Sequence, residues 1–311
     1  MTEPSPASPA AAGAYTKIDD LIRLRHPARE LAFHRQRQAF APLVGPHQSR
    51  FRGRGIEFEE VRAYQAGDDI RNIDWRVTAR SGRPHTKLFR EERERPVLIL
   101  LDQGMSMFFG SRGCFKSVLA AHVAALLAWA ALQQNDRVGG LVAGGNSHAV
   151  VRPRRSAHTV LKLLRDFDTF NHRLHRNRPA ETTGLAHALE ELRRITRPGA
   201  NVFVISDFKQ FDVQGEKHLH QMGRHSDVVA VRIFDPLERE LPPAGCYTIT
   251  DGSRNATLFT GNSRVCQRYQ ERFDLKTDSL RHLLGRHGVP LLQLSTRDAP
   301  LHYLKNLLGP R

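Results

Sequence analysis

Two apolar runs in the sequence each end in an aspartate. LILLD ends at Asp102, with the hydroxyl of Ser106 four residues later, and FVISD ends at Asp207. Uninterrupted runs of Val, Ile and Leu are typical of strands buried on both faces in a parallel sheet. The carboxyl ends of such strands meet at one edge, where open α/β sheets bind their ligands. We therefore expect the two carboxylates and the hydroxyl to lie together at this edge.

A pair of threonines lies between these aspartates in the sequence. In ETTGLAHAL, Thr182 and Thr183 stand at the start of a predicted amphipathic helix, which places a further hydroxyl at the same edge. Carboxylate, hydroxyl and water oxygens are the ligands that Mg²⁺ takes in octahedral geometry, so a metal site is one interpretation. The alternative is that each side chain only caps the helix that follows it, as Asp, Ser and Thr commonly do.

Signatures of common enzymes are missing from the sequence. An aspartyl-nucleophile phosphatase needs an acid two positions after Asp102, where Gly104 stands, and VAGGNSH lacks the lysine of a P-loop. No GxSxG, HExxH or GxGxxG motif occurs, and none of the 16 histidines belongs to a spaced ligand set. Without a recognisable nucleophile–base pair, the sequence predicts a protein that is not an enzyme. A Mg²⁺- or Mn²⁺-dependent hydrolase, either a phosphatase or a nuclease, is one alternative, and a basic nucleic-acid-binding protein is another.

The chain is strongly basic, with a formal net charge of +15. Such a charge favours attraction to an acidic protein surface, a nucleic acid or an anionic lipid. The arginines alternate with acids, as in REERER, and aromatic residues make up only 7%, so a base-stacking platform for nucleic acid is disfavoured. The three cysteines form no CxxC pair, which excludes a zinc or disulfide framework and suits a reducing cytoplasm.

Changes in composition divide the chain into four predicted segments. Residues 1–15 are a Pro- and Ala-rich disordered tail without the features of a secretory signal, and 16–48 are helical, with Pro27 separating two short helices. Residues 49–95 alternate polar and apolar side chains, which predicts a β-rich extension. Residues 96–311 alternate apolar strands with amphipathic helices, which predicts an α/β domain with a doubly wound, mostly parallel sheet.

Within the α/β domain, the apolar runs place the individual strands. A β-hairpin is predicted as an insertion over 243–262, and VLAAHVAALLAWAAL is predicted to be a buried core helix, since it is too short to span a bilayer. The parallel strands are expected near 97–102, 137–143, 201–206, 227–234 and 289–295, with 148–152 as an antiparallel edge.

Two groups of residues resemble known protein families. GRGIEFEEVRAYQAGDDIRNIDWRVTARSGRPHTKLFREE is similar to the hallmark of the family called domain of unknown function 58. In that family an Arg-x-Tyr, a Gly-Asp-Asp, an Ile-Asp-Trp and an Ala-Arg precede the strand that ends in Asp. The strand-end residues resemble the metal-ion-dependent adhesion site of the von Willebrand factor A domain, whose first motif is Asp-x-Ser-x-Ser. The resemblance covers nearly the whole chain after the helical segment.

The resemblance implies a fold, a partner and a metal site. The expected fold is a sheet of the von Willebrand factor A type, and the expected role is that of a non-enzymatic adaptor or co-chaperone of a MoxR-type AAA+ ATPase. Many relatives carry N-terminal membrane helices that this sequence lacks, so a cytoplasmic protein is expected. The site is degenerate, because Gly104 replaces the usual serine. The ligands implied for Mg²⁺, or for Mn²⁺, are Asp102, Ser106, Thr183 and Asp207.

The hallmark segment is rich in acids and arginines. These residues form either a catalytic cluster or a structural ion network that fixes the β-rich extension, and the lack of a base–nucleophile pair favours the network. Trp75 is then expected to be a core anchor. The members of the predicted network are Asp68, Asp69, Arg71, Asp74 and Arg80.

Overall fold

The computed structural model describes residues 11–31, 57–65, 73–90, 95–174, 184–250 and 255–308. The chain divides into two compact units, one formed by residues 50–95 and the other by the rest of the chain. Five residues singled out from the sequence lie outside the described residues, so their predicted roles stay predictions: Asp68, Asp69, Arg71, Thr182 and Thr183.

The described elements are labelled here in chain order. The helices are α1 (Ile18–Arg23), α2 (Trp75–Ser81), α3 (Lys116–Gln133), α4 (Ala157–His172), α5 (Leu185–Ile195), α6 (Val213–Gly223), α7 (Pro236–Arg239), α8 (Ser263–Arg286) and α9 (Pro300–Leu308). The strands are β1 (Glu57–Ala63), β2 (His85–Arg90), β3 (Val97–Asp102), β4 (Val138–Gly144), β5 (Ser147–Arg154), β6 (Asn201–Ser206), β7 (Asp227–Phe234), β8 (Cys246–Thr250), β9 (Asn255–Phe259) and β10 (Leu291–Ser295).

A six-stranded sheet forms the centre of the larger unit. Its order is β10-β7-β6-β3-β4-β5, and every neighbouring pair is parallel except β4 and β5. The predicted doubly wound, mostly parallel sheet is therefore confirmed, including the antiparallel edge strand. Gly140 on β4 allows the close approach of β3, because a Cβ at this position would lie 2.2 Å from the carbonyl oxygen of Ile99.

Helices cover both faces of the sheet. One face packs against α1, α3, α4 and α9, and the other packs against α5, α6 and α8. α3 is apolar all round and is buried from its first residue to Ala131, which confirms the predicted core helix. With 18 residues, α3 is longer than the predicted apolar run and could cross a membrane by length and composition alone, but 89% of it is buried inside the protein.

The N-terminal segment is part of the same core. α1 and a 3-10 turn at Pro27–Glu30 confirm the two predicted short helices. Leu21 and Leu24 are fully buried against α3, and the indole Nε1 of Trp129 donates to the carbonyl oxygen of Leu21 at 3.0 Å. Because this segment covers part of α3, it belongs to the α/β domain rather than preceding it.

Part of the predicted disordered tail is ordered. The amide of Gly13 donates to the carbonyl oxygen of Gly113, and the carbonyl oxygen of Gly13 accepts from the amide of Phe115. Gly13 has a φ of +80°, which other residues rarely adopt, and the Tyr15 hydroxyl donates to the carbonyl oxygen of Leu174. The prediction of disorder up to residue 15 is wrong for residues 11–15, because backbone pairing there is not visible in the composition.

The smaller unit contains an antiparallel pair, β1 and β2, with α2 between them in the sequence. Asp74 caps α2, since its carboxylate accepts from the amides of Arg76 and Val77. The prediction that Trp75 is a core anchor is wrong: its side chain is 68% exposed, as the first residue of a short helix with no buried positions. Arg80 lies exposed in the last turn of the same helix.

The predicted inserted hairpin is present in the larger unit. β8 and β9 pair in antiparallel register between α7 and α8, from Cys246 opposite Phe259 to Thr250 opposite Asn255. The Thr260 hydroxyl donates to the carbonyl oxygen of Pro243, which closes the base of the hairpin.

Candidate functional site at the carboxyl edge of the sheet

The two predicted aspartates lie at the same edge of the sheet. β3 and β6 are parallel neighbours with Leu101 opposite Ile205, and each strand is followed directly by its aspartate, with Asp102 as the last residue of β3 and Asp207 just beyond β6. β3 pairs with β4 on one side and with the later strand β6 on the other, so the strand order reverses between β3 and β6. Ligands of open α/β sheets bind at such a reversal.

Asp102 accepts hydrogen bonds from a side chain and from the backbone. The hydroxyl of Ser206 donates to its Oδ2 at 2.5 Å, and the amide of Gly104 donates to its Oδ1 at 2.8 Å. Ser106 lies in the 3-10 turn that follows and is half-buried. The Ser206 hydroxyl, which no pattern in the sequence marks, therefore joins the ends of β3 and β6.

Asp207 is paired with a buried lysine. The ammonium Nζ of Lys116, the first residue of α3, lies 2.7 Å from Oδ2 of Asp207, and both side chains are buried. The other oxygen, Oδ1, accepts from the backbone amide of Lys209 at 3.1 Å. Both carboxylate oxygens of Asp207 therefore already have donors within the protein.

Glu238 extends this pair into a network. Its Oε1 accepts from Lys116 at 2.8 Å and from the half-exposed Lys209 at 2.6 Å, while Oε2 accepts from the amide of Asp235 at 3.1 Å. The last contact belongs to a capping box at the start of α7. Asp235 is itself fully buried and accepts from the amide of Ser111 at 2.8 Å. The network thus connects the segments that follow β3, β6 and β7.

The charges in this network stabilise one another. Burial acts to raise the pKa of the Asp207 carboxyl, but the charge and hydrogen bond of Lys116, together with Lys209, hold this pKa below its ordinary value. Burial acts to lower the pKa of Lys209, but Glu238 raises it above its ordinary value. Burial also acts to raise the pKa of the Asp235 carboxyl, but hydrogen bonds from Ser111, Thr296 and Leu237 together hold this pKa below its ordinary value. Asp207, Lys209 and Asp235 therefore stay ionised around neutral pH.

A second, uncharged network fixes the loop after β3. The side-chain amide of Gln103, fully buried next to Asp102, donates to the carbonyl oxygen of Ser117 at 3.0 Å and accepts from Asn171 at 3.3 Å. Asn171 in turn accepts from the amide of Thr16 at 2.8 Å. The N-terminal segment is thereby connected to the loop that carries Ser106.

The described residues do not fit Asp207 as a metal ligand. A Mg²⁺ bound to Oδ2 would lie within about 5 Å of the Lys116 ammonium, and the repulsion would be about 7 kcal/mol at an effective dielectric constant of about 20. In the described parts of the chain, no three His, Cys, Asp or Glu side chains are grouped so that they could hold a metal ion. The implied four-ligand set therefore disagrees with the structure at Asp207, and Thr183 lies outside the described residues.

The members of the site that the sequence does not predict include Lys116, Ser206 and Glu238. Lys116 left a signal, because it is the one charged residue in the 18 residues of α3, and a lone charge in an apolar helix indicates a buried ion pair. Glu238 could also be found from the sequence, because Asp-Pro-Leu-Glu has the form of a capping box. Ser206 precedes Asp207 without any distinguishing feature.

Solved structures with similarity to this chain are distant in sequence. A conserved hypothetical protein BatB from Bacteroides thetaiotaomicron is 14% identical, with a TM-score of 0.42, over 68% of this chain and 96% of that one. A von Willebrand factor type A protein from Catenulispora acidiphila is 16% identical, with a TM-score of 0.32, over 48% of this chain and 35% of that one.

Relatives in sequence cover nearly the whole chain. The uncharacterized proteins Mb1516 of Mycobacterium bovis and Rv1480 of Mycobacterium tuberculosis are each 32% identical over 281 residues, which is 90% of this chain and 86% of theirs. Residues 60–278 match the family described as protein of unknown function DUF58, and this match includes the hallmark segment from Arg62 onward as well as the strand ends at Asp102 and Asp207. The chain belongs to the DUF58 family.

Proposed function

We propose that this protein is a non-enzymatic interaction module that works in the cytoplasm as an adaptor or co-chaperone of a MoxR-type AAA+ ATPase. The ATPase would dock at the carboxyl edge of the sheet. The observation that carries the proposal is that the polar groups at this edge bind one another: Lys116 pairs with Asp207 and Glu238, and Ser206 donates to Asp102. Such an arrangement favours a rigid binding surface over a catalytic site with a nucleophile and a base.

The loop after β3 provides exposed side chains suited to a protein contact. Phe109 is 41% exposed, and Arg112 is exposed in the same loop. Lys209, from the loop after β6, is held toward this edge by Glu238. Aromatic and arginine side chains are the residues that contribute most often to protein interfaces.

The charge of the chain supports an acidic partner surface. A net charge of +15 attracts acidic surfaces over distances up to about a Debye length, which raises the rate of encounter more than the final affinity. Arg112 and Lys209 place part of this charge at the proposed contact.

The test is binding of the full-length chain to the MoxR-type ATPase of the same organism, by co-purification and by analytical ultracentrifugation. We expect a complex with the wild-type chain, and at least a tenfold loss of affinity for Phe109→Ala and for Arg112→Glu. Asp102→Ala and Ser106→Ala test whether the residues of the predicted adhesion site contribute to the contact. Asp136→Ala, at the opposite edge of the sheet before β4, is the matched control and should bind normally.

Other results of these experiments would change the partner, the contact site or the class of function. Failure of the wild-type chain to bind removes the ATPase as the partner. Normal binding by both Phe109→Ala and Arg112→Glu leaves the partner but places the contact elsewhere. Hydrolysis of a phosphate ester or of a nucleic acid by the wild-type chain, with loss in Asp102→Ala, would instead favour a hydrolase.

A further inference from the structure

We propose that the Lys116 ammonium takes the place of a divalent cation at the carboxyl edge of the sheet, so that this site works without a metal. Lys116 is a positioning residue in this proposal: it fixes Asp207 and Glu238 and thereby the segments that follow β6 and β7. The proposal concerns the site alone, and it is tested without any partner protein.

Lys116 lies where a positive charge is unfavourable unless acidic groups surround it. The N-terminus of a helix carries a partial positive charge, so an ammonium at the first residue of α3 is unfavourable without acidic partners. Its side chain is fully buried, where an unpaired charge would be costly. Two carboxylates from two other segments meet this ammonium at 2.7 and 2.8 Å. The ammonium is thus coordinated by carboxylate oxygens, as a bound cation would be.

The charges of the cluster also leave no room for a second cation. Lys116 and Lys209 carry two positive charges, and Asp207 and Glu238 carry two negative charges, so these four ion-paired groups neutralise one another. A divalent ion bound to Asp207 would add two positive charges directly beside the Lys116 ammonium, in a largely buried place. Mg²⁺ binds where carboxylates and other oxygen donors are available, and here both oxygens of Asp207 already accept hydrogen bonds.

Gly104 provides a competing explanation for a weak metal site. If the missing hydroxyl were the cause, restoring it with Gly104→Ser would be enough to create Mg²⁺ binding. If Lys116 is the cause, Gly104→Ser alone would bind no Mg²⁺, and binding would appear only after the ammonium is removed.

The experiment is titration of Mg²⁺, by calorimetry and thermal melting with chelator as the reference, on four full-length proteins: wild type, Gly104→Ser, Lys116→Met and the double variant. We expect no binding by the first two proteins. We expect binding by the double variant, with an increase in the melting temperature that Asp102→Asn abolishes. Lys209→Met removes the half-exposed lysine of the same cluster and is the control for nonspecific loss of charge.

Two results would overturn the proposal. One is stoichiometric Mg²⁺ binding by the wild type or by Gly104→Ser that depends on Asp102. The other is a double variant that folds, as judged by circular dichroism, and still binds no Mg²⁺. If Lys116→Met does not fold, Lys116→Gln replaces it. If neither variant folds, Gly104→Ser decides: Mg²⁺ binding by this variant contradicts the role of Lys116, and the absence of Mg²⁺ binding supports it.

Discussion

The ammonium of Lys116 and the carboxylate of Asp207 lie 2.7 Å apart, although 91 residues separate them in the sequence. The first belongs to the start of α3, and the second lies just beyond the carboxyl end of β6. Their contact fixes the first crossover helix of the domain against the loop that follows a neighbouring strand. This pair and other buried groups in the structure lead to five predictions.

Removing Lys116 should destabilise the fold far more than removing Lys209. Lys116→Met leaves Asp207 buried beside a single remaining half-exposed lysine, and we expect a loss of about 3–5 kcal/mol in the free energy of unfolding. Lys209→Met removes an ammonium that is 53% exposed and should cost less than about 1 kcal/mol. Urea unfolding of both variants checks the difference, and equal losses would contradict it.

The same pair should show strong coupling. When Asp207→Asn is added to Lys116→Met, the buried charge that lacks its partner is neutralised, so the double variant should recover part of the stability lost in Lys116→Met. A double-mutant cycle measured by urea unfolding gives the coupling energy. Simple addition of the two single losses would show that the contact contributes no interaction of its own.

His122 should make the protein less stable at mildly acidic pH. It is buried in α3, and burial lowers its pKa to about 4, with Asp20 opposing the shift. Between pH 6.5 and this value the unfolded state binds the proton and the folded state does not, so stability falls as the pH falls. The loss should level off below about pH 4 and reach at most about 3 kcal/mol. His122→Leu should remove this part of the pH dependence, as measured by denaturant unfolding across the same range.

The N-terminal helix should behave as core. Leu21 of α1 is fully buried in the core next to α3. Leu21→Ala should therefore cost about 2–5 kcal/mol in unfolding free energy. Ile22, the next residue, is 36% exposed, and Ile22→Ala should change stability much less, by about 1 kcal/mol or below. Thermal melting of the two variants makes the comparison, and a small effect for Leu21→Ala would show that the segment is not part of the folding unit.

The cysteines should differ in reactivity. Burial, with a smaller contribution from Asp235, raises the pKa of the Cys114 thiol to about 11, so almost no reactive thiolate is present at neutral pH. Cys246 is exposed on β8. Iodoacetamide at neutral pH should modify Cys246 in the native protein and leave Cys114 unmodified until denaturant is added, as followed by mass spectrometry of peptides. Rapid native labelling of Cys114 would contradict its burial.

The sheet and the position of Asp102 and Asp207 follow from local sequence. Continuous apolar strands, one helix that is apolar all round and a turn-flanked hairpin each have a distinctive pattern, and parallel strands necessarily present their carboxyl ends at one edge. The sequence pattern does not show which side chains contact one another at this edge. The sequence predicts Asp207 as a metal ligand because no local pattern connects it with its distant partner Lys116.

The two wrong expectations have a similar origin. Trp75 is large and apolar, which favours burial in general, but its exposure depends on what packs against α2. Gly13 and Tyr15 follow a Pro- and Ala-rich stretch, and their order depends on backbone and side-chain partners about 100 residues or more away. Composition describes a segment by itself, whereas these outcomes depend on contacts between segments.

The burial of α3 has a consequence for the newly synthesised chain. α3 leaves the ribosome before β6, β7, β10 and α9, and residues from all four take part in the core that covers it. Until then the nascent chain exposes a helix as apolar as a membrane span, whose only charge, Lys116, has not yet met Asp207 or Glu238. The domain can therefore complete the core around α3 only late in translation, after α9 has been synthesised.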